Sequence, residues 1–272
     1  MAPTSTRPVV LVTGAARPVA LVTGAARRVG RAIALDLAAH GFDIALHFRS
    51  SRDEAEATAA NVRELGARAQ CFAADLSDES ACRALLPAVA KAMQRIDAVV
   101  NNASHFEYDS AETFSHAAMD AHWRANTAPA VLLAQALAAH LKGCSQDHEG
   151  GCVVNLLDQK LWNPNPDYFS YTLSKAALEA ATTLLAQALA PQVRVVGVAP
   201  GVTLVSGTAM DDASFEQAHR MTPLGRSSTP DDVARTVRFA IESRAITGTT
   251  ILVDGGQHLL AQPRDVAFLN KN

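Results

Sequence analysis

The chain carries no excess of basic charge: 24 lysines and arginines face 27 acidic residues over 272 positions, for a net charge of -3. A nucleic-acid footprint needs clustered positive charge, so no nucleic-acid partner is expected. Paired cysteines are also missing. Cys71, Cys82, Cys144 and Cys152 show no CxxC spacing and lie in runs that look like core, the pattern of buried reduced thiols in a cytosolic protein. His47, His105 and His122 lack metal-ligand spacing, so no metal is expected. No apolar stretch reaches the length of a membrane span, and Arg7, Arg17 and Arg27 interrupt the N-terminal runs that a signal peptide would keep continuous. These absences together predict a soluble, cytoplasmic protein that acts on a small molecule, without a membrane.

What is present is an alternation. Hydrophobic residues make up 49% of the chain, enough for a sizeable core, and they fall in short β-branched runs between longer alanine-rich helical stretches. Strand candidates are VALVTG (19–24), FDIALHF, ARAQCFAADL, IDAVVNNAS, GCVVNLL, VRVVGVAPG and TTILVDGG. Each is mostly apolar rather than alternating, as a parallel sheet covered on both faces requires. Repeated β-α units with right-handed crossovers predict one doubly wound, seven-stranded α/β domain of Rossmann type. Long helices are expected at about 117–141 and 169–190, and a last one at about 230–243. GCSQDHEGG (143–151) reads as a surface loop. The stretch 201–229 leaves the sixth strand where ligands bind in open α/β sheets, and is either a substrate lid or an ordinary surface excursion.

Residues 8–27 repeat one phrase, PVVLVTGAAR then PVALVTGAAR. The second copy runs on into Arg28, Val29 and Gly30 and then an amphipathic helix; the first has Pro18 and Ala20 at the matching places. The second copy is therefore expected to be the central strand and phosphate loop. Residues 1–17 become an extension, poorly ordered or laid on the surface, with no vacant slot in the sheet.

Chemistry collects at the strand ends. TGAARRVG (23–30) follows a strand and opens a helix, so Gly24 and Gly30 allow a tight turn beside helix N–H groups that suit a pyrophosphate. Arg28 adds positive charge there, although a solvated surface arginine would look the same. After the second strand no carboxylate appears before Asp53. His47, Arg49 and Ser50 offer donors and charge for a 2′-phosphate instead, which favours NADP(H) over NAD. Tyr171 and Lys175 stand four apart at the start of a helix and share one face. An ammonium beside a phenol lowers the phenol's pKa and suits it to proton transfer.

The ordered set TGAARRVG, AADL, NNAS, Asn126, Tyr171-x-x-x-Lys175 and Pro200-Gly201 resembles the short-chain dehydrogenase/reductase family over almost all of residues 18–260. The resemblance implies a nicotinamide-dependent oxidoreductase with Tyr171 as general acid and Lys175 on the nicotinamide ribose. It further implies a proton-relay water held by Asn126, Asp75 near the adenine, and cofactor contacts from Val29, Leu76, Asn102 and Ala103. It also suggests a homotetramer.

Three departures narrow the expectation. Arg28 stands where most members have glycine, Ser104 ends NNAS where they have NNAG, and Asp158 replaces a catalytic serine thirteen residues before the tyrosine. An ionised carboxylate accepts hydrogen bonds and repels a developing alkoxide, so Asp158 suits a ring rich in N–H groups better than a simple ketone. All three resemble the pteridine reductase branch, which includes bacterial dihydromonapterin reductases. By that resemblance Phe106 stacks on a pterin against the nicotinamide, Ser104 and Arg28 touch cofactor phosphate and substrate, and Asp158 orients the ring. The expected activity is NADPH-dependent reduction of a dihydropterin, with folates as further substrates. A general carbonyl or 3-oxoacyl reductase, and a non-catalytic dinucleotide-binding protein, are the alternatives.

Overall fold

The second copy of the repeated phrase forms the central strand. In the computed structural model, which describes residues 17–144, 150–205 and 212–268, β1 is Val19–Val22. It is followed by α1 (Arg28–Ala39), β2 (Asp43–Phe48), α2 (Arg52–Glu64), β3 (Ala69–Ala73), α3 (Glu79–Met93) and β4 (Ala98–Asn101). The second half continues with α4 (His116–His122), α5 (Ala128–Lys142), β5 (Gly151–Leu156), α6 (Phe169–Leu189), β6 (Val193–Pro200), α7 (Asp212–Arg220), α8 (Pro230–Glu242) and β7 (Thr250–Val253). The seven strands lie in the order β3-β2-β1-β4-β5-β6-β7, all parallel.

The sheet is covered on both faces. Ile33 and Leu37 of α1, Val62 of α2 and Val237 of α8 pack on one face, while Leu86 of α3, Leu137 of α5 and Leu185 of α6 pack on the other. Every residue of β1, β2, β4 and β5 is buried, hence their mostly apolar sequences; the polar exceptions Asp43, His47, Asn101 and Asn155 are all hydrogen-bonded. Strand order reverses between β1 and β4, and the carboxyl ends of those two strands open the crevice where such sheets bind ligands.

Three expectations change. The helix expected at about 117–141 is interrupted by a π-helical turn, Trp123–Thr127, in which the Ala128 N–H bonds to the Trp123 carbonyl. The stretch 201–229 contains α7, and residues 206–211 lie outside the described residues; so do 145–149 of the expected surface loop and residues 1–16 of the extension. Arg17, assigned to that extension, belongs to the domain. Its guanidinium donates to Gly41 O at 3.1 Å, Ala38 O at 2.9 Å and Gly66 O at 3.0 Å, satisfying carbonyls near the C-terminal ends of α1 and α2.

A polar chain crosses the otherwise apolar centre: Asn101 Nδ2 donates to Asn155 Oδ1 at 2.8 Å, and Asn155 Nδ2 donates to Thr182 Oγ1 at 2.9 Å. It ties β4 to β5 and β5 to α6. Asn155 is wholly buried. The substitution Asn155→Leu strands the Asn101 amide, while Thr182 Oγ1 keeps its bond to Leu178 O; it is expected to cost about 1–3 kcal/mol for the one orphaned group, read as a lowered midpoint in thermal or urea unfolding.

Candidate active site

Gly24 turns the chain at the end of β1 with φ +63°, in the left-handed region that glycine adopts without strain. Asn102 at the end of β4 latches this turn, its Nδ2 donating to Thr23 O at 2.9 Å and Gly24 O at 3.3 Å. The N–H groups of Asn102 and Ala103 both donate to Thr23 Oγ1. Gly30 serves packing: a Cβ there would lie 2.2 Å from Gly24 O and 2.6 Å from Asn102 Nδ2. Gly30→Ala is thus expected to destabilise the fold by about 1–3 kcal/mol through overpacking and to weaken dinucleotide binding, both measurable by thermal melts with and without NADPH.

Arg28 has φ +56°, a conformation that disfavours every residue but glycine. The family resemblance puts a glycine at this place, and the backbone has kept a glycine's conformation while presenting an arginine's head. That head spans the cleft, with Nη2 donating to Val205 O at 2.8 Å, and so links the phosphate loop to the segment following β6.

Two adjoining cavities, of about 310 and 500 Å³, share Arg28, Val29, Asn102, Ser104 and Phe106 as lining. The larger one follows Gly24, Gly30, Arg49, Ser50, Asp75 and Leu76. Arg49 and Ser50 are exposed just past β2. Asp75 is exposed, and Ser77's hydroxyl and N–H hold its carboxyl below its ordinary pKa, helped by the charge of Arg49. His47 departs from expectation. Its ring is buried, Nδ1 accepts from Gly24 N–H at 3.2 Å, and Nε2 is placed to donate to Ala74 O at 3.1 Å. Burial lowers its pKa, so it is a neutral brace between the phosphate loop and the end of β3, and the positive charge assigned to it falls to Arg49.

The smaller cavity contains Asp158, Tyr171, Lys175, Pro200 and Gly201. Tyr171 is at the start of α6, whose N-terminus is fixed by Asp109, which accepts from Ser170 N–H at 2.9 Å. Its hydroxyl donates to Asp158 Oδ2 at 2.9 Å, and Asp158 Oδ1 accepts from Lys160 N–H at 2.9 Å. Lys175 Nζ donates to Leu156 O at 2.7 Å and stands 5.7 Å from the Tyr171 ring centre. Burial brings the lysine down to about 8, against an upward pull from Asp158. The phenol does not have the lowered pKa expected from its lysine neighbour. Burial, reinforced by the charge of Asp158, raises Tyr171 well above its ordinary value, and burial also raises Asp158. The pair therefore stores its proton on the phenol.

Asn126 lies behind this cavity in the π-helical turn. Its Nδ2 donates to His105 O at 3.0 Å and Ser174 Oγ at 2.9 Å, while Oδ1 accepts from His105 N–H at 2.7 Å and Ser104 Oγ at 3.2 Å. Both amide hydrogens and both oxygen lone pairs are in use, so the side chain positions residues 104–105 and Ser174.

Two features had no signal in the sequence reading. Tyr168 stacks on Phe106 at 4.2 Å between ring centres and so covers one of its faces, and Tyr171 meets the same ring edge-to-face at 4.7 Å. The chain after β7 returns over the cavity as a strap, and its Gln262, Asp265, Val266 and Ala267 line the wall. Arg264 anchors it with two 2.8 Å bonds to buried Asp167. A spacing of 97 residues between those partners left nothing local to read.

A family model described as enoyl-(acyl carrier protein) reductase matches residues 24–258. With this sheet and this Tyr–Lys site, the chain belongs to the short-chain dehydrogenase/reductase family. It is 34% identical to pteridine reductase 1 of Leishmania tarentolae, over 95% of this chain and 99% of that one. It also resembles, at 42% identity and a TM-score of 0.82, FolM alternative dihydrofolate reductase 1 of Brucella canis, solved in complex with NADP, over 89% of this chain and 95% of that one. A 3-oxoacyl-[acyl-carrier-protein] reductase of Staphylococcus aureus is 30% identical over 92% of this chain and 97% of the relative. The donor set fits a dinucleotide phosphate: α1 begins with no capping side chain and no acidic residue in its first turn, with Arg27 and Arg28 beside it.

Proposed function

We propose that this protein is an NADPH-dependent pterin reductase that converts a dihydropterin to its tetrahydro form. The observation that carries the reading is the 2.9 Å hydrogen bond from the Tyr171 hydroxyl to Asp158, in a cavity that Lys175 and Phe106 also line. The relatives named for pteridine and dihydrofolate reduction support it.

NADP(H) fits the larger cavity, with its pyrophosphate at the start of α1 near Arg28 and its 2′-phosphate at Arg49 and Ser50; when bound it supplies the hydride. Tyr171 donates its hydroxyl proton to the ring nitrogen of the C=N bond being reduced. The ammonium of Lys175 stabilises the phenolate left behind. Asp158 accepts a ring N–H and holds the pterin in register, a task a carboxylate performs and a serine would share with donation. Phe106 packs on the ring, Ser104 and Arg28 bind where cofactor and substrate meet, and Asn126 keeps Ser104 in place. Val202, Thr203 and Leu204 line the cavity and begin the proposed substrate lid, and a homotetramer is the proposed assembly.

The test is turnover of 7,8-dihydrobiopterin and 7,8-dihydromonapterin against a panel of ketones and 3-oxoacyl thioesters, with NADPH and NADH in parallel. Pterin turnover that prefers NADPH is expected. Ketone or thioester turnover with inert pterins would assign the chain to the carbonyl reductases, and NADPH binding without turnover of any of them would make it a non-catalytic binder.

A further inference from the structure

The strap places a second carboxylate in the smaller cavity. Asp265 lines it together with Asp158, Asn165 and Gln262, with its side chain about one-fifth exposed. Its Oδ1 accepts from Ala267 N–H at 3.1 Å, and its Oδ2 faces Lys160 Nζ at 3.5 Å. A carboxylate has about four acceptor positions, so half of its capacity is open to a ligand.

Lys160 forms a long ion pair with Asp265, 3.5 Å from Nζ to Oδ2, and shares its charge with a second acceptor. Its ammonium is buried, donates to Asp167 O, and sits 5.4 Å from the Tyr168 ring centre. Arg264 is committed to Asp167 through both of its 2.8 Å bonds. At this end of the cavity a ligand thus meets acceptor oxygens from Asp265, whose paired cation, Lys160, is itself buried and divided between Asp265 and Asp167 O. Gln159 lines the same cavity, and its buried Oε1 has no hydrogen-bond partner. Turning that carboxamide toward a donor gives up no existing bond at the oxygen.

We propose that Asp265 is a specificity-determining residue: from the C-terminal strap it accepts hydrogen bonds from hydroxyl groups on the substituent of the substrate ring, and it repels a substituent that ends in carboxylates. The inference rests on the pterin reading of the site. It predicts that a dihydropterin with a hydroxylated side chain is preferred to dihydrofolate, whose glutamate tail is anionic. One charge, brought from the end of the chain, makes that choice.

The experiment compares kcat/KM for 7,8-dihydromonapterin and 7,8-dihydrofolate in the full-length protein and in Asp265→Asn, with NADPH saturating. Asparagine preserves shape and can still accept from Ala267 N–H while removing the charge. The expected result is a fall of about tenfold or more in the monapterin-to-folate ratio, composed of a higher KM for monapterin and a lower KM for dihydrofolate. A change confined to the substituent's contacts acts on binding, so kcat should move less than KM. NADPH affinity and the thermal midpoint are measured alongside; if Asp265→Asn unfolds, Asp265→Glu, which keeps the charge and lengthens the side chain, must retain the sense of the preference. An unchanged ratio in a folded Asp265→Asn, or a reversed preference in Asp265→Glu, overturns the role of Asp265 and leaves the pterin reading standing. Failure of the unsubstituted protein to turn over either compound overturns both.

Discussion

Tyr171→Phe is expected to lower dihydropterin turnover by on the order of 10²- to 10⁴-fold, the usual contribution of a positioned general acid, while NADPH still binds. The substitution removes one oxygen from a buried ring and leaves its packing against Phe106 in place. What is lost is the proton that the phenol stores. Burial and the Asp158 charge both hold that proton on Tyr171. Lys175, brought to about 8, is near enough to neutrality to titrate, but its Nζ is turned to Leu156 O. Single-turnover measurements with preloaded NADPH separate the chemical step from binding. A loss of less than tenfold would mean that the proton comes from elsewhere.

Asp158→Asn should lower pterin kcat/KM by about 10- to 1,000-fold, the cost of one well-placed charged hydrogen bond or a little more, with NADPH affinity nearly unchanged. The pH profile distinguishes this from simple misfolding. On the proposed mechanism the carboxylate is the active form, and burial raises its pKa, so activity is expected to fall as pH drops through a value above the usual carboxylate range. At the alkaline end the charged form of Lys175 is the active one, so kcat/KM declines as pH rises past about 8. Asp158→Asn should erase the acid limb and keep an alkaline limb, shifted downward because Asp158 no longer favours the charged lysine. Asp158→Ser tests the same position from the other side: it restores the family's usual hydroxyl and is expected to cost pterin turnover far more than NADPH affinity. Equal losses in both would make the residue structural.

Much of this was legible because parallel sheets leave a simple trace. Strands buried on both faces read as apolar runs, and the ends of those runs locate Gly24, Asn102, Asp158 and Pro200 before any coordinates are known. The choice between the two copies of the repeat followed from Arg28 and Gly30, and β1 is the second copy. What sequence could not convey was direction and distance. His47 is still inside the paired register of β2, opposite Phe72 of β3, and Arg49 is the first charged residue past it. A difference of two positions separates a core brace from a charge in the cleft. Tyr168 and the strap depend on contacts between chain segments about 60 and 97 residues apart, for which no local period exists. The state of the phenol depends on burial, which outweighs the nearby lysine.

The π-helical turn at Trp123–Thr127 has a consequence for alignment. A continuous α-helix from His116 to Lys142 would advance about 100° per residue, whereas a turn closed by a bond to the fifth preceding residue accommodates one residue more. That surplus residue changes the phase between α4 and α5. His122 on one side and Leu133 on the other can both face inward, and Asn126 falls between them against Ser174. Length is therefore quantised here: dropping a single residue would turn one helix about 100° relative to the other. A relative without the surplus residue must show a one-position gap in this helix, and it cannot hold an asparagine on the 104–105 loop from the same place.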